Sequence, residues 1–283
     1  MRIPRIPEII GIGLFLLLAV LPLVLGLGYA LLYGLGLVGR LSQGFTLEYV
    51  QQVGAEGEIW RSFAYTLYIA VMSMGVAVGL ALIGTVGFRR FWQERPSSYW
   101  IYFPLAIPSM VAAFFSLQLL SKSGLLARLV YSWGWIQDVQ DFPDLINDAG
   151  GIGIIFTHAF MATPFLLIVF LNIWQKERMD ELGQLAETLG ARKRSIWRRI
   201  AVPMLLKSSF PTLVLYFVFV LGSYEIPLLL GREDPQMVSV LIARKSIRPF
   251  DLMDKPEAYV IAFVYAVLVL LTVVLLLRKR KIA

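Results

Sequence analysis

Six apolar stretches, each long enough to cross a lipid bilayer, restrict what this sequence can fold into. A helix needs about 20 apolar residues to span ~30 Å of hydrocarbon. Hydrophobic residues make up 58% of the 283 residues and charged residues only 16%, against about 25% charged residues in soluble domains. The first stretch is too long for the apolar core of a signal peptide, so it is counted as a span. The sequence therefore predicts an all-α, polytopic membrane protein that forms a single transmembrane domain over residues 1–283. Its six spans are predicted at 9–35, 63–88, 99–120, 152–174, 209–230 and 257–277.

Basic residues are distributed unevenly between the two sides of these spans. With the N-terminus inside, most of the lysines and arginines fall on the inner side, and acidic residues are more frequent on the outer side. The positive-inside rule then predicts that both termini and the long loop at 175–208 are cytoplasmic. The net charge of +7 follows from this topology, so nucleic-acid binding is not predicted.

Residue types that carry covalent chemistry are scarce. The chain has no cysteine and a single histidine, His158, which excludes disulfides, thiol nucleophiles and histidine clusters, and no metal site or cofactor is predicted. No Gly-Lys dipeptide occurs, so the chain lacks a Walker A motif and is not itself a P-loop ATPase. A membrane-embedded enzyme is therefore the less favoured alternative function. A secondary transporter or channel is the other alternative, and it predicts more charges within the spans and an internal repeat.

Prolines and glycines distinguish two of the spans. Pro104 and Pro108, four residues apart in the third stretch, predict one helix that is kinked at both positions. Gly75 and Gly79 in the second stretch predict close helix packing, either within the chain or across a dimer interface.

The largest outer loop, at 122–151, combines apolar and acidic residues. Its apolar residues from Leu125 to Trp133 recur at helical spacing and predict an interfacial helix. The aspartates that follow predict either a solvated acidic face or a docking surface for a soluble outer partner; they are Asp138, Asp141, Asp144 and Asp148.

Two ionisable residues fall within predicted spans. Glu225 lies in the fifth stretch, where an unpaired carboxylate costs about 2.5–3.5 kcal/mol, so it should face a cavity or pair with an arginine of another helix. His158 lies in the outer half of the fourth stretch, where an interhelical hydrogen bond is the favoured interpretation. The candidates for lining a translocation pathway are Ser223, Tyr224, Glu225 and His158.

The stretch 182–203, LGQLAETLGARKRSIWRRIAVP, is the most basic part of the chain. Gly190 predicts the end of a first short helix, because glycine adopts a positive φ without penalty. A second helix is predicted to begin at the candidate cap Ser195 or earlier, and to lie at the inner headgroup boundary with Ile196, Trp197 and Ile200 on its apolar face. Pro203 is predicted to turn the chain into the fifth span. Two short helices joined at a glycine are suited to docking into a groove of a soluble partner.

This stretch resembles the cytoplasmic loop of the integral-membrane subunits of binding-protein-dependent ABC importers, whose form is EAA-x3-G-x9-I-x-LP. The matching residues are Ala186, Gly190, Ile200 and Pro203, and the departures are Gln184, Leu185 and Val202. The regions 104–129 and 221–231 resemble the spermidine/putrescine-type permease group, which is the most similar group within that family.

The resemblance implies a type I ABC importer permease fold in the bacterial inner membrane. The chain would be a non-enzymatic permease subunit that works by alternating access, with a polyamine or another small solute as substrate. Implied partners are an ABC ATPase dimer that carries ATP and Mg, a second permease subunit in a heterodimer, and a soluble extracytoplasmic binding protein. Implied ATPase-coupling residues are Gln184, Leu185, Ala186, Glu187, Leu189, Gly190 and Ala191, and Ile200 and Pro203 would shape the loop.

Overall fold

The computed structural model describes residues 6–39, 42, 44–93, 101–247 and 254–280, and this part of the chain is helical and contains no strand. The predicted all-α class is therefore confirmed. The helices are α1 (Ile6–Phe15), α2 (Leu21–Gly34), α3 (Glu48–Ala55), α4 (Gly57–Gln93), α5 (Ser109–Leu120), α6 (Leu125–Ser132), α7 (Ile152–Lys176), α8 (Met179–Thr188), α9 (Lys193–Ile196), α10 (Val202–Leu221), α11 (Glu225–Leu230), α12 (Val238–Ile247) and α13 (Asp254–Arg280).

Within the described residues, six helical stretches are long and apolar enough to cross a membrane, as the hydropathy pattern predicted. A π-helical turn, Leu16–Val20, joins α1 to α2, and a second one, Trp197–Ala201, joins α9 to α10. The predicted boundaries are close for four spans and wrong for the third and the fifth. The observed stretches are Ile10–Gly34, Gly57–Arg89, Ser109–Ser132, Ile152–Lys176, Lys193–Leu221 and Asp254–Arg278.

The third span is not one helix kinked at two prolines. Pro104 lies in the first turn of a 3₁₀ helix, Phe103–Ala106, and Pro108 is the N-cap of α5 with φ −60° and ψ 148°. Proline is tolerated at a helix start because its missing N–H would have no intrahelical acceptor there. The chain leaves the helical conformation again at Ser121 before α6 begins. The predicted first residues of this span, 99–100, lie outside the described part of the chain.

The fifth span begins 16 residues earlier and ends 9 residues earlier than predicted, since it runs from Lys193 to Leu221 and the prediction was 209–230. Pro203 does not turn the chain, because it occupies the first turn of α10 and follows the π-helical turn directly. A proline ring excludes the carbonyl four residues earlier, here that of Arg199, and the wider π turn is the part of the helix that contains that carbonyl. The N-cap of α9 is Arg192, so Ser195 is not the cap and the earlier of the two predicted starts is the one observed.

The chain divides into two compact units, Met1–Trp60 with Val240–Thr272 and Arg61–Ser239 with Val273–Ala283. In the first unit the rings of Tyr29, Tyr33 and Tyr259 pack together, with centroids 4.4–5.8 Å apart. In the second unit, one buried cluster joins α4, α7 and α10 around Leu166 and Phe170. Another joins α4, α5, α7 and α11 around Ile154 and Ile226.

A buried lysine organises the polar part of the first unit. The Nζ of Lys245 on α12 lies 3.0 Å from a carboxylate oxygen of Glu56, the C-cap of α3, and 2.6 Å from one of Glu257 in the first turn of α13. Its side chain is only 9% exposed. Burial by itself would lower the pKa of Lys245, but the hydrogen bonds to Glu257 and Glu56 outweigh it, and the pKa is raised above its ordinary value. The lysine therefore connects three helices as a cation.

The two glycines of the second span, Gly75 and Gly79, do not pack closely against any described residue. A Cβ built at Gly75 or Gly79 would meet nothing within 4 Å among the described residues. The alternative, that this pair lies at a dimer interface, stays a prediction. In contrast, a Cβ at Gly151 (φ +64°) would lie 2.3 Å from Ile69, so this glycine is what allows the start of α7 to approach α4.

Acidic residues of the outer loop bond to the loop backbone itself. Asp138 and Asp141 form a reciprocal capping box around a short 3₁₀ turn, and Asp148 accepts a hydrogen bond of 2.8 Å from the backbone of Ile152 at the start of α7. The predicted helix is present as α6, but it continues the third apolar stretch, Ser109–Ser132, and is not separate from that stretch.

Candidate functional site

Helix α8 begins directly after the fourth span. Helix α7 ends at Lys176, Arg178 adopts a left-handed conformation (φ +48°) as the N-cap of α8, and the chain reverses into the new helix there. Asp180 and Glu181 lie in the first turn, where negative side chains interact favourably with the helix dipole. The local sequence therefore favours a separate helix at this position.

The end of α8 is a Schellman motif at Gly190, as the sequence predicted. Gly190 has a φ of +84°, its N–H donates to the Glu187 carbonyl at 2.9 Å, and the Ala191 N–H donates to the Ala186 carbonyl at 2.9 Å. These two bonds satisfy carbonyls that would otherwise lack partners at the helix end. The chain then turns into α9.

Two exposed leucines form an apolar face at the end of α8. Leu185 is 61% exposed and Leu189 is 88% exposed, and they are four residues apart, so they lie side by side on the helix surface. We call these two residues the docking face. Gln184 and Glu187 are exposed around it, whereas Ala186 and Ala191 are half-buried. Large apolar side chains left in solvent beside charged residues are typical of protein interaction sites.

The second half of the loop is basic, as predicted, but its apolar residues do not form the single face that was expected. The side chain of Ile196 is buried, but Trp197 is 45% exposed, so the two do not share one environment. Ile200 is half-buried in the π turn and Pro203 is exposed. The basic residues around them are all exposed: Arg192, Lys193, Arg194, Arg198 and Arg199.

The other end of α8 is attached to two spans. Met179 is 3% exposed and belongs to the buried cluster of α4, α7 and α10. The Asp180 carboxylate accepts hydrogen bonds from Arg89 at the end of the second span and from Trp174 near the end of the fourth. Beside these contacts lies a cleft of about 570 Å³, which Gln184 and Trp197 help to line. This attachment is not predictable from a local sequence pattern, because Arg89 and Asp180 are 91 residues apart.

Glu225 lies beyond the end of the fifth span, and no arginine in the described part of the chain forms an ion pair with it. It is the first residue of α11, its side chain is exposed, and its carboxylate accepts a hydrogen bond from the hydroxyl of Ser109, the first residue of α5. Ser223 and Tyr224 form the connection between α10 and α11, and the Ser223 carbonyl accepts a hydrogen bond from Ser239 at 2.5 Å. Glu225 is therefore an exposed carboxylate at the point where α5 and α11 both begin.

The His158 imidazole makes its hydrogen bond within its own helix, so the predicted interhelical bond of this side chain is wrong. Nδ1 lies 2.9 Å from the Ile154 carbonyl, and the residue is 1% exposed. The contact between helices comes from its backbone, because the Tyr216 hydroxyl donates to the His158 carbonyl at 2.9 Å. His158 and Glu225 thus have separate partners, and the structure does not join the pathway candidates into one cluster.

Residues 74–280 match the sequence model of a known family, the inner membrane component of binding-protein-dependent transport systems. The match covers well over half of the chain. The chain belongs to this family. Family membership and the six apolar helices confirm two predictions, namely a multi-pass inner membrane protein and a component that is not an enzyme.

Two curated relatives are each 25% identical to the chain. One is the probable ABC transporter permease protein y4fN of Sinorhizobium fredii, over 65% of this chain and 30% of the relative. The other is the thiamine transport system permease protein ThiP of Brucella abortus, over 77% of this chain and 39% of the relative. The chain thus spans only about a third of the length of the relatives it matches. Neither carries the name of the spermidine/putrescine group.

A solved structure has the same fold. It is the crystal structure of a bacterial ABC transporter involved in the import of the acidic polysaccharide alginate, with a TM-score of 0.66 and 17% identity. The likeness covers 98% of this chain and 93% of that one. The predicted importer permease fold is thereby confirmed.

Proposed function

We propose that this chain is the permease subunit of an ATP-driven importer and that α8 couples it to a separate ATPase. The observation that carries the proposal is the exposed docking face, Leu185 and Leu189, on a helix that ends at the family glycine, Gly190. Family membership and the importer fold support it. ATP and Mg would bind to the ATPase alone, since this chain has no Walker A motif.

The loop that carries α8 faces the cytoplasm in this proposal. Its exposed arginines and lysine surround α9, next to the membrane end of the fifth span, and the positive-inside rule assigns such clusters to the inner side. The same rule makes both termini cytoplasmic. Basic side chains there would also contact anionic headgroups while the docking face points away from the membrane.

Two of the three departures from the family loop pattern, Leu185 and Gln184, fall on the docking face and beside it. Leu185 stands where the pattern has alanine, and Leu189 lies one turn further on. We expect the ATPase groove that receives them to be apolar. Gln184 stands where the pattern has glutamate and lines the cleft beside Asp180, so it offers hydrogen bonds without a charge.

The transport step is alternating access without covalent chemistry. Closure of an ATPase dimer on ATP would move α8, and the attached spans would change between inward- and outward-open arrangements. A second permease subunit would provide the other half of the pathway. The matched relatives extend far beyond the region shared with this chain, which leaves room in each for a second unit of this size, and this favours a heterodimer of non-identical units here.

We infer that the substrate is a small cationic solute and that Glu225 contacts it. The carboxylate on α11 is exposed and therefore accessible to a cation, and the Ser109 hydroxyl donates a hydrogen bond to it. A polyamine is one such cation. The thiamine named for the Brucella relatives is another, because its thiazolium ring is positively charged. A soluble extracytoplasmic binding protein would deliver the solute.

Replacing Glu225 by glutamine should weaken uptake of a cationic solute about tenfold, because one charge-assisted hydrogen bond is lost while the shape of the side chain is kept. Concentration-dependent uptake into proteoliposomes would measure this. Glu233→Gln, an exposed carboxylate in the next loop, is the matched control. Unchanged affinity and selectivity in Glu225→Gln would exclude a role in substrate contact.

The proposed function is tested by reconstituting the chain with an ABC ATPase and a soluble binding protein from the same organism. Uptake should require ATP on the side of the vesicle membrane where the ATPase is bound. It should persist after ion gradients across that membrane are collapsed. Uptake that is driven by an ion gradient with no ATPase bound would instead identify a secondary transporter and overturn the proposal.

A further inference from the structure

The carboxylate of Asp180 is held by donors from two different spans. Oδ1 accepts from Arg89 Nε at 3.2 Å and from Arg89 Nη2 at 2.9 Å, and Oδ2 accepts from Trp174 Nε1 at 3.2 Å. Both carboxylate oxygens are therefore used, and they point at the ends of the second and fourth spans. Asp180 is the second residue of α8.

The groups that hold Asp180 are themselves fixed. The Arg89 guanidinium stacks over the Trp174 ring at 4.8 Å from its centroid, and Nη1 donates to the Val86 carbonyl at 3.3 Å. Its side chain is 26% exposed. Arg89 follows directly after Phe88, where α4 departs from helical geometry (φ −124°, ψ 17°). An arginine with this many contacts defines a direction for the bond to Asp180, as a freely moving surface lysine would not.

The two ends of α8 differ sharply in their surroundings. The first residue, Met179, is buried in the same cluster as Trp174, whereas Leu189 just past the other end is 88% exposed. A partner that moves the exposed end will move the helix about its attached end. How that motion reaches the spans depends on the contacts of Met179 and Asp180.

We propose that Asp180 is a positioning residue: its contacts with Arg89 and Trp174 transmit movement of α8 to the second and fourth spans. This role presupposes the coupling function proposed above for α8. The contribution of the contact to stability is small, because the Asp180 side chain is 55% exposed and exposed ion pairs add little to folding. Its contribution is directional, since the other attachment of α8 to the cluster, through Met179 and Leu182, is apolar and lets the helix rotate.

Glu181 provides a matched control on the same turn. Its carboxylate also lies in the first turn, but its ion pair is with Arg178, at 3.4 Å and three residues earlier, and both side chains are exposed. Asp180→Asn and Glu181→Gln therefore remove the same charge from the same turn, and only the former weakens a contact with the spans.

The first experiment measures the attachment without any ATPase. The chain has no native cysteine, so Thr188→Cys and Ile83→Cys introduce one exposed spin-label site on α8 and one on α4. The distance distribution between the labels should be narrow in the otherwise unchanged protein and in Glu181→Gln, and clearly broader in Asp180→Asn and in Arg89→Ala. A distribution in Asp180→Asn as narrow as in Glu181→Gln overturns the proposal.

The second experiment measures transport by the assembled importer. Asp180→Asn should co-purify with the ATPase as the unchanged protein does, yet transport about tenfold fewer solute molecules per ATP hydrolysed. Asp180→Glu should recover part of the loss, because it restores the charge. Normal transport per ATP in Asp180→Asn contradicts the proposal. If the ATPase binds none of the proteins, the unmodified chain included, the proposed coupling function fails, and the label distances still decide whether Asp180 holds α8.

Discussion

Replacing Leu185 and Leu189 together by aspartate should abolish stable association with the ATPase. Burying one leucine side chain contributes about 1.5–3 kcal/mol, so loss of both weakens binding by about 3–6 kcal/mol, which is roughly 10²- to 10⁴-fold. The chain should fold normally, because these side chains are 61% and 88% exposed. Co-purification of the ATPase with the tagged permease, after gel filtration to check folding, is the measurement.

A second leucine pair with the same spacing serves as the control. Leu125 and Leu129 on α6 are 55% and 37% exposed, in a loop outside the one that contains α8. Their replacement by aspartate should leave ATPase association intact. Deletion of 182–190, or Gly190→Trp, should prevent association as the docking-face variant does. Retention of the ATPase by the docking-face double variant would show that α8 is not the contact.

Replacing Lys245 by methionine should destabilise the protein strongly. Its ammonium neutralises Glu56 and Glu257 in a site where the lysine side chain is 9% exposed and that of Glu257 is 17% exposed. Removing one member of a buried charge cluster costs about 3–5 kcal/mol, because the remaining charges lose their partner. For a protein of this size that corresponds to a fall in Tm of roughly 10 °C, measurable by thermal unfolding of the detergent-solubilised protein.

The loss of stability caused by Lys245→Met should become smaller at alkaline pH. The pKa of Lys245 is raised in the folded protein, so its stabilising contribution is fully present below the unfolded lysine pKa of about 10.4 and is lost as the pH rises through the higher folded value. The Tm difference between the two proteins should thus be constant around neutral pH and shrink only in strong alkali. Lys122→Met, which removes an exposed lysine 3.8 Å from Asp144, should change Tm little. Equal effects of the two substitutions would disprove the special role of Lys245.

Features that depend on neighbouring residues were predictable. The number of spans follows from hydropathy summed over about 20 residues, and the end of α8 follows from a single glycine that adopts φ +84°. Boundaries near prolines were not predictable to the same degree. Proline can either kink a helix or occupy its first turn. Which of the two occurs at Pro108 and Pro203 depends on the residues that pack around them.

Roles of single polar residues were the least predictable. Glu225 was expected within the fifth span and lies beyond its end, at the start of the short helix α11, where it accepts a hydrogen bond from Ser109. The His158 imidazole was expected to join two helices and bonds to Ile154 within its own helix. Each partner is set by how helices pack against each other, which hydropathy does not encode.

The sequence by itself determined an all-helical membrane protein of the binding-protein-dependent importer type, with one basic loop built around Gly190. Those conclusions rest on hydropathy, charge distribution and short motifs, which act over one or a few turns of chain. Only the tertiary structure decided that α8 is attached at Asp180 and exposed at Leu189, and that Lys245 joins three helices. Contacts across 91 or 189 residues arise when helices pack, and side chains so distant along the chain leave no periodic signal in the sequence.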